Sequence, residues 1–115
     1  MGSGYSVRKL SDVQGIECLC GTSIRLFTGK DSPLANIHVV HIQDSEKHYH
    51  SECTEFYYIL EGTGVLEVND DTVELEAGTC VKIDVGTPHR GWGDFRALIV
   101  GVPPLRDEDQ VVVEA

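Results

Sequence analysis

Basic residues are scarce in this sequence: nine lysines and arginines stand against 19 aspartates and glutamates, for a net charge of −10. Such a surface repels phosphate backbones and anionic lipid headgroups, so nucleic acid and membrane are not expected as partners. Long apolar runs are missing as well. The longest, Ala97 to Val102, is far too short to span a bilayer, and the N-terminal MGSGYSVRKLSDV holds no apolar stretch of signal-peptide length. The chain therefore reads as soluble and cytoplasmic. Cysteine is limited to Cys18, Cys20, Cys53 and Cys80, without the paired CxxC spacing of a structural zinc site, and reduced thiols are the expectation. Cys18 and Cys20 lie two apart in an extended stretch, share a face and read as small buried hydrophobes; Cys53 is the thiol closest to the chemistry described below. A sustained helical period is also absent, and 115 residues make one domain, 1–115, with a single core.

What is present is period-two alternation interrupted by turn residues, the pattern of an all-β domain. Strands are expected over Gly15–Cys20, Ser23–Phe27, Ala35–Ile42, Phe56–Leu60, Val65–Val68, Thr72–Leu75, Cys80–Ile83 and Phe95–Val102. TGKDSP, EGTG, NDD, EAG and VGTP read as the turns between them. So many short strands hide their edges most economically in a closed barrel or sandwich. The acidic RDEDQ before Val111 reads as solvated. In FYYIL, Tyr57 and Ile59 share one face while Phe56, Tyr58 and Leu60 share the other, so both faces are apolar. If the first pair points inward, the second face needs a cover, from an N-terminal strand or from a second subunit; the homodimer is favoured.

The chemistry concentrates in HYHSECTEFYYILEG, His48 to Gly62. Histidines at i and i+2 of an extended segment point the same way, so His48 and His50 can present two imidazoles to one ion. Glu52 and Glu55 compete for the place of a third ligand. Glu52 needs a tight local turn, whereas Glu55 opens the next strand and can point back across a barrel, so geometry favours Glu55. A second glycine-rich stretch, GTCVKIDVGTPHRGWG, adds His89 behind Pro88, whose fixed φ limits how the imidazole is presented.

Together these stretches resemble the two motifs of the cupin superfamily. The first, HxHx(3,4)E followed by six residues and glycine, is met by His48, His50, Glu55 and Gly62. The second, Gx(5)PxGx(2)Hx(3)N, is met at Gly78, Gly86 and His89, with Thr63 to Ala77 as a spacer of fifteen residues. Asp84 replaces the motif proline, Gly93 the closing asparagine, and Ile42 the glycine six before the first histidine; none of these removes a ligand. The resemblance covers roughly Ile37 to Val102. It implies a single jelly-roll (double-stranded β-helix) cupin barrel, and one divalent transition metal held by His48, His50, Glu55 and His89. Three imidazoles and a carboxylate suit iron, manganese, nickel, cobalt, copper or zinc, with about two octahedral positions left open.

Around this set, Tyr57 shares the face of Glu55 and is the candidate hydrogen-bond donor to substrate. His38 and His41 lie on opposite faces of one strand, so at most one faces the pocket. Arg90 and Trp92 follow His89 and could clamp an anion and stack on a ring; Glu52, Lys82 and Arg96 read as surface. The ion is expected to serve an enzyme acting on a small oxygen-rich substrate, isomerase- or epimerase-like or dioxygenase-like. The alternative is a non-catalytic module that binds a small molecule or metal.

Overall fold

Alternating apolar positions become nine strands in the computed structural model, which describes residues 4–114. They are β1 (Ile16–Cys18), β2 (Gly21–Phe27), β3 (Asn36–Asp44), β4 (His48–Tyr49), β5 (Thr54–Val68), β6 (Asp71–Leu75), β7 (Cys80–Ile83), β8 (His89–Val102) and β9 (Val111–Val112). Helical structure among the described residues is a single 3-10 turn at Leu10–Asp12, and no helix is long and apolar enough to cross a membrane. The strands pair antiparallel in one nine-stranded sheet that curls into a jelly-roll barrel.

Strand β8 lies at its centre. Its residues 92–101 are flanked by β3 on one side and β5 on the other, and its beginning is flanked by β4 and the end of β5. β7 continues the sheet beyond the first half of β5, and β6 beyond the second. Val40, Ile42, Ile59, Phe95, Ala97 and Ile99 from β3, β5 and β8 fill the interior. Ile59 and Ala97 are cross-strand partners with no exposed surface, and full burial of a side chain such as Ile59 stabilises by ~1.5–3 kcal/mol.

Two expectations about the strands are corrected. Phe56–Leu60 and Val65–Val68 are one strand, β5, which runs through EGTG because it pairs with β8 along its whole length. The glycines there relieve crowding rather than end the strand: Gly62 sits at φ 86°, and a Cβ on it would collide with the Asp94 carbonyl. A bulge between Ile59 and Glu61 takes up the change in register. For the same reason β8 starts at His89 rather than Phe95.

The acidic tail is the second correction. RDEDQ turns back over the barrel, β9 pairs with β4, and Asp109 is buried. Its carboxylate accepts the backbone N–H groups of Ser51 and Glu52 at 2.7 and 3.0 Å. Those donors lie in the loop between β4 and β5, so the tail fastens the loop that carries the histidines.

Tyr57 and Ile59 point inward, as the alternation requires, and Phe56, Tyr58 and Leu60 form an outer face with 38%, 44% and 44% of their surface exposed. No N-terminal strand pairs beside them among the described residues; the neighbours of β5 are β6, β7 and β8.

Candidate metal centre

Period-two geometry delivers the histidine pair. His48 lies in β4 and His50 just beyond it, both buried, while Tyr49 between them is partly exposed. His89 opens β8 directly opposite His48, so the register brings the two far-apart motifs together. Ring centroids are 4.5 Å apart for His48 and His89, 5.0 Å for His48 and His50, and 5.5 Å for His50 and His89. Each ring offers a nitrogen within 4.8 Å of those of the others.

The ring orientations are set from behind. His48 Nδ1 donates to the Glu46 carbonyl at 2.7 Å, His50 Nδ1 to the Asp109 carbonyl at 2.7 Å, and His89 Nδ1 to the Thr87 carbonyl at 2.9 Å. A carbonyl only accepts, so each Nδ1 carries the proton and each Nε2 keeps a lone pair directed into the barrel. Glu55, on the first inward position of β5, places Oε1 3.1 Å from His50 Nε2 and 3.4 Å from His89 Nε2. Ligands around an ion with bonds of ~2.1 Å stand ~3.0 Å apart at right angles and ~3.4 Å apart at the tetrahedral angle.

His50 Nε2, His89 Nε2 and Glu55 Oε1 are all buried without a hydrogen-bond partner. Buried polar atoms left unpaired cost ~1–3 kcal/mol each, and a divalent cation is the one partner that several lone pairs on one point share. The residues present therefore fit a transition-metal ion.

At Glu55 and His48 electrostatics run the same way. Burial pushes Glu55 toward the neutral form, but the two imidazoles against it prevail and hold its pKa at about 2, so the carboxylate is ionised. Burial and the neighbouring His89 lower His48 to about 4, leaving a neutral ligand. Burial opposes protonation of His50, yet Glu55 beside it raises its pKa overall. Tyr57 projects from the face of Glu55 and sets its ring edge-on to His89, 6.2 Å between centroids. Burial, reinforced by the Glu55 charge, pushes its phenol well above 10, so Tyr57 remains a donor.

Other candidates are placed elsewhere. His38 faces the interior, and burial followed by the Arg25 charge lowers it to about 4. His41 faces outward, 2.6 Å from Asp94. Arg90 projects from the outer face into an ion pair with Asp44 at 2.7 Å, its guanidinium 5.4 Å from the Trp92 ring; neither residue reaches the histidines, because β8 alternates and His89 takes the inward position. Glu52 lies at the surface, paired with Arg106 at 2.6 Å, and Arg96 and Lys82 pair outward with Glu61 and Asp84 at 3.0 Å. Cys53 is buried and its thiol is pushed up to about 12, which makes it inert. Cys18 and Cys20 are only half-buried; Cys20 beside it lowers the Cys18 pKa to about 6, while Cys18 and burial raise that of Cys20. The sequence reading passed over Ser23 and Arg25 on the inner face of β2, and Asp109.

The family model described as Cupin domain matches residues 37–97. An uncharacterised protein of Methanocaldococcus jannaschii is 36% identical over 72 residues, covering 59% of this chain and 56% of that protein, so the match takes in about half of each. Among solved structures, a protein from Planctomyces limnophilus has a TM-score of 0.89 at 23% identity, covering 95% of this chain and 97% of its own. Pac13 of Streptomyces, a nucleoside dehydratase, has a TM-score of 0.84 at 15% identity, with 96% and 92% covered. These last two are likenesses of fold.

Proposed function

The chain belongs to the cupin superfamily, and on that premise we propose that it is a metal-dependent enzyme acting on a small oxygen-rich molecule. One divalent transition ion is held by His48, His50, Glu55 and His89. The observation that carries this reading is the convergence of buried, unpartnered Nε2 and carboxylate atoms, with each imidazole fixed by a backbone carbonyl behind it. A bound ion supplies Lewis acidity toward a carbonyl or hydroxyl oxygen. The protein's part is to orient that oxygen, exclude water and supply a proton donor. Tyr57 fills the last role, because its phenol stays protonated beside the ligands. Isomerisation and elimination both begin at a carbon next to a polarised oxygen, and the dehydratase activity of Pac13, a protein of the same fold, supports this class.

Elemental analysis of protein purified without added metal is the direct test. We expect close to one ion per chain in the wild type and loss of it in a His48→Ala/His89→Ala double variant; stoichiometric metal in the double variant overturns the assignment. The metal-loaded protein is then screened against small sugars and hydroxy acids. Oxygen uptake by the iron form moves the reading to a dioxygenase, and tight ligand binding without turnover moves it to a binder. Tyr57→Phe is expected to lower kcat with little change in metal content.

We also propose that the protein works as a homodimer. Phe56, Tyr58 and Leu60 stand beside the outward Leu98 and Val100 of β8, so the apolar face extends over two strands, and a second copy of the same face buries it symmetrically. Sedimentation of the wild type and of Tyr58→Glu checks this, with the variant expected as monomer.

A further inference from the structure

The inner face of β2 and β3 carries polar groups that the metal centre does not use. Arg25 is opposite His38, His38 is opposite Ile99, and Ile99 is opposite Tyr57, so one cross-strand row leads from Arg25 toward the metal ligands. Ser23, two residues before Arg25, shares its face and is 1% exposed. Its Oγ and the Arg25 Nε are buried with no hydrogen-bond partner. His38, on the same inner face opposite Arg25, is 6% exposed. Two unsatisfied groups, Ser23 Oγ and Arg25 Nε, in one patch of a barrel interior are costly unless something binds there.

The chain itself shows what Arg25 takes. One end of its guanidinium meets the Asp107 carboxylate, Nη1 to Oδ1 3.3 Å, and the Asp107 side chain is 77% exposed. That long, solvated contact is weak and easily displaced. It lies in a surface recess between the β1–β2 hairpin and the C-terminal segment, where Cys18, Arg25, Asp107 and Gln110 meet. Arg25 thus reaches the recess with one end and the barrel interior with its free Nε. It is also the cation on the interior face among the described residues, in a chain of net charge −10. One guanidinium matches the single charge of a carboxylate, whereas a phosphate dianion would stay half-neutralised. Three strand spacings separate β2 from β5, roughly 14 Å along the sheet, and the arginine side chain fills part of that. That separation sets an upper limit of a few carbons on a molecule reaching from one end to the other.

We propose that Arg25, Ser23 and His38 are the carboxylate-binding end of the substrate site, that the substrate is a small carboxylic acid bearing a further oxygen, and that Asp107 occupies Arg25 until substrate displaces it. The carboxylate takes the Arg25 Nε–H and the Ser23 hydroxyl, while His38 donates from whichever nitrogen faces it. The other oxygen points along the row toward Tyr57 and the metal ligands, and only this half rests on the metal-dependent reading above.

Glycolate is the probe, with ethylene glycol as the uncharged control, each titrated by isothermal calorimetry into chelator-treated and manganese-loaded protein. Glycolate is expected to bind both forms, and more tightly with manganese; ethylene glycol is not. Arg25→Gln should weaken glycolate at least tenfold in both forms, and Arg25→Lys should restore part of the loss. Asp107→Asn, a surface change that leaves the fold intact, should tighten glycolate severalfold by removing the internal competitor. Glycolate binding that is absent from both forms, indifferent to Arg25→Gln, or weakened by Asp107→Asn overturns the proposal. If manganese adds nothing but the Arg25 and Asp107 effects persist, the metal reading fails and the carboxylate site stands; stoichiometric manganese with no Arg25 effect gives the reverse.

Discussion

Replacing Asp109 with alanine removes a carboxylate that lies far in sequence from His48, His50 and Glu55 yet holds their loop in place. The side chain is 6% exposed and accepts two backbone N–H groups, from Ser51 at 2.7 Å and Glu52 at 3.0 Å. Hydrogen bonds to a charged acceptor contribute ~1.5–3 kcal/mol each, and the two donors would be left facing a void, so the expected loss is about 3 kcal/mol. For a chain of 115 residues, that corresponds to a drop in Tm of about 10 °C, at ~4 °C per kcal/mol. Thermal unfolding followed by circular dichroism measures it. The backbone carbonyl of Asp109 also receives His50 Nδ1, so unpinning the segment should loosen that ring and weaken metal binding by about tenfold, the lower end of what lost support behind a ligand costs. Asp109→Asn keeps one acceptor and should fall between the alanine variant and the wild type. An alanine variant that melts within about 2 °C of the wild type and binds metal equally well would refute the assigned role.

Glu55→Gln should sharply weaken metal binding while Glu52→Gln leaves it unchanged, and the reverse result would overturn the choice of carboxylate. His38 adds a pH dependence to stability: its pKa falls from 6.5 unfolded to about 4 folded, so its contribution is complete above about pH 6.5 and is lost as pH falls toward 4, because only the unfolded chain takes up the proton. The loss is at most about 3 kcal/mol, and urea melts at several pH values should show a shallower decline in His38→Gln. Gly62→Ala forces a Cβ against the Asp94 carbonyl at positive φ, and should cost at least about 2 kcal/mol in urea unfolding. Chelator dialysis should lower Tm in the wild type and leave the His48→Ala/His89→Ala variant unmoved, since a ligand that binds only the folded state stabilises only a chain able to hold it.

The convergence of His48, His50 and Glu55 was legible because its signals are local. His48 and His50 are two apart and Glu55 begins the next apolar run, so spacing conveys their common direction, whereas His89 joins them only through the resemblance of GTPHR to the second cupin motif. Tyr57 and Ile59 were legible inside for the same reason. Ser23 and Arg25 were not, because the apolar Ile24 and Leu26 lie on the opposite face and period two would turn those inward, whereas pairing with β3 sets Ser23 and Arg25 opposite the buried Val40 and His38. Asp109 was hidden by its surroundings, since one buried acid among several solvated ones carries no mark until its donors at 51 and 52 are known. EGTG misled for a related reason: glycine breaks a strand in sequence reading, but opposite β8 it makes room for close backbones.

The central position of β8 bears on how this chain reaches its native state. The β2–β3 and β5–β6 hairpins are neighbours in sequence and can form early, but each leaves an unpaired edge on the side where β8 belongs. Because β8 enters between them late in the chain, closure is governed by contacts of large sequence separation, which makes folding slow for a domain of this size. Until it closes, the exposed edges of β3 and β5 are open to pairing with other chains. Crowded refolding should therefore lose material to aggregation at this step more than at any other.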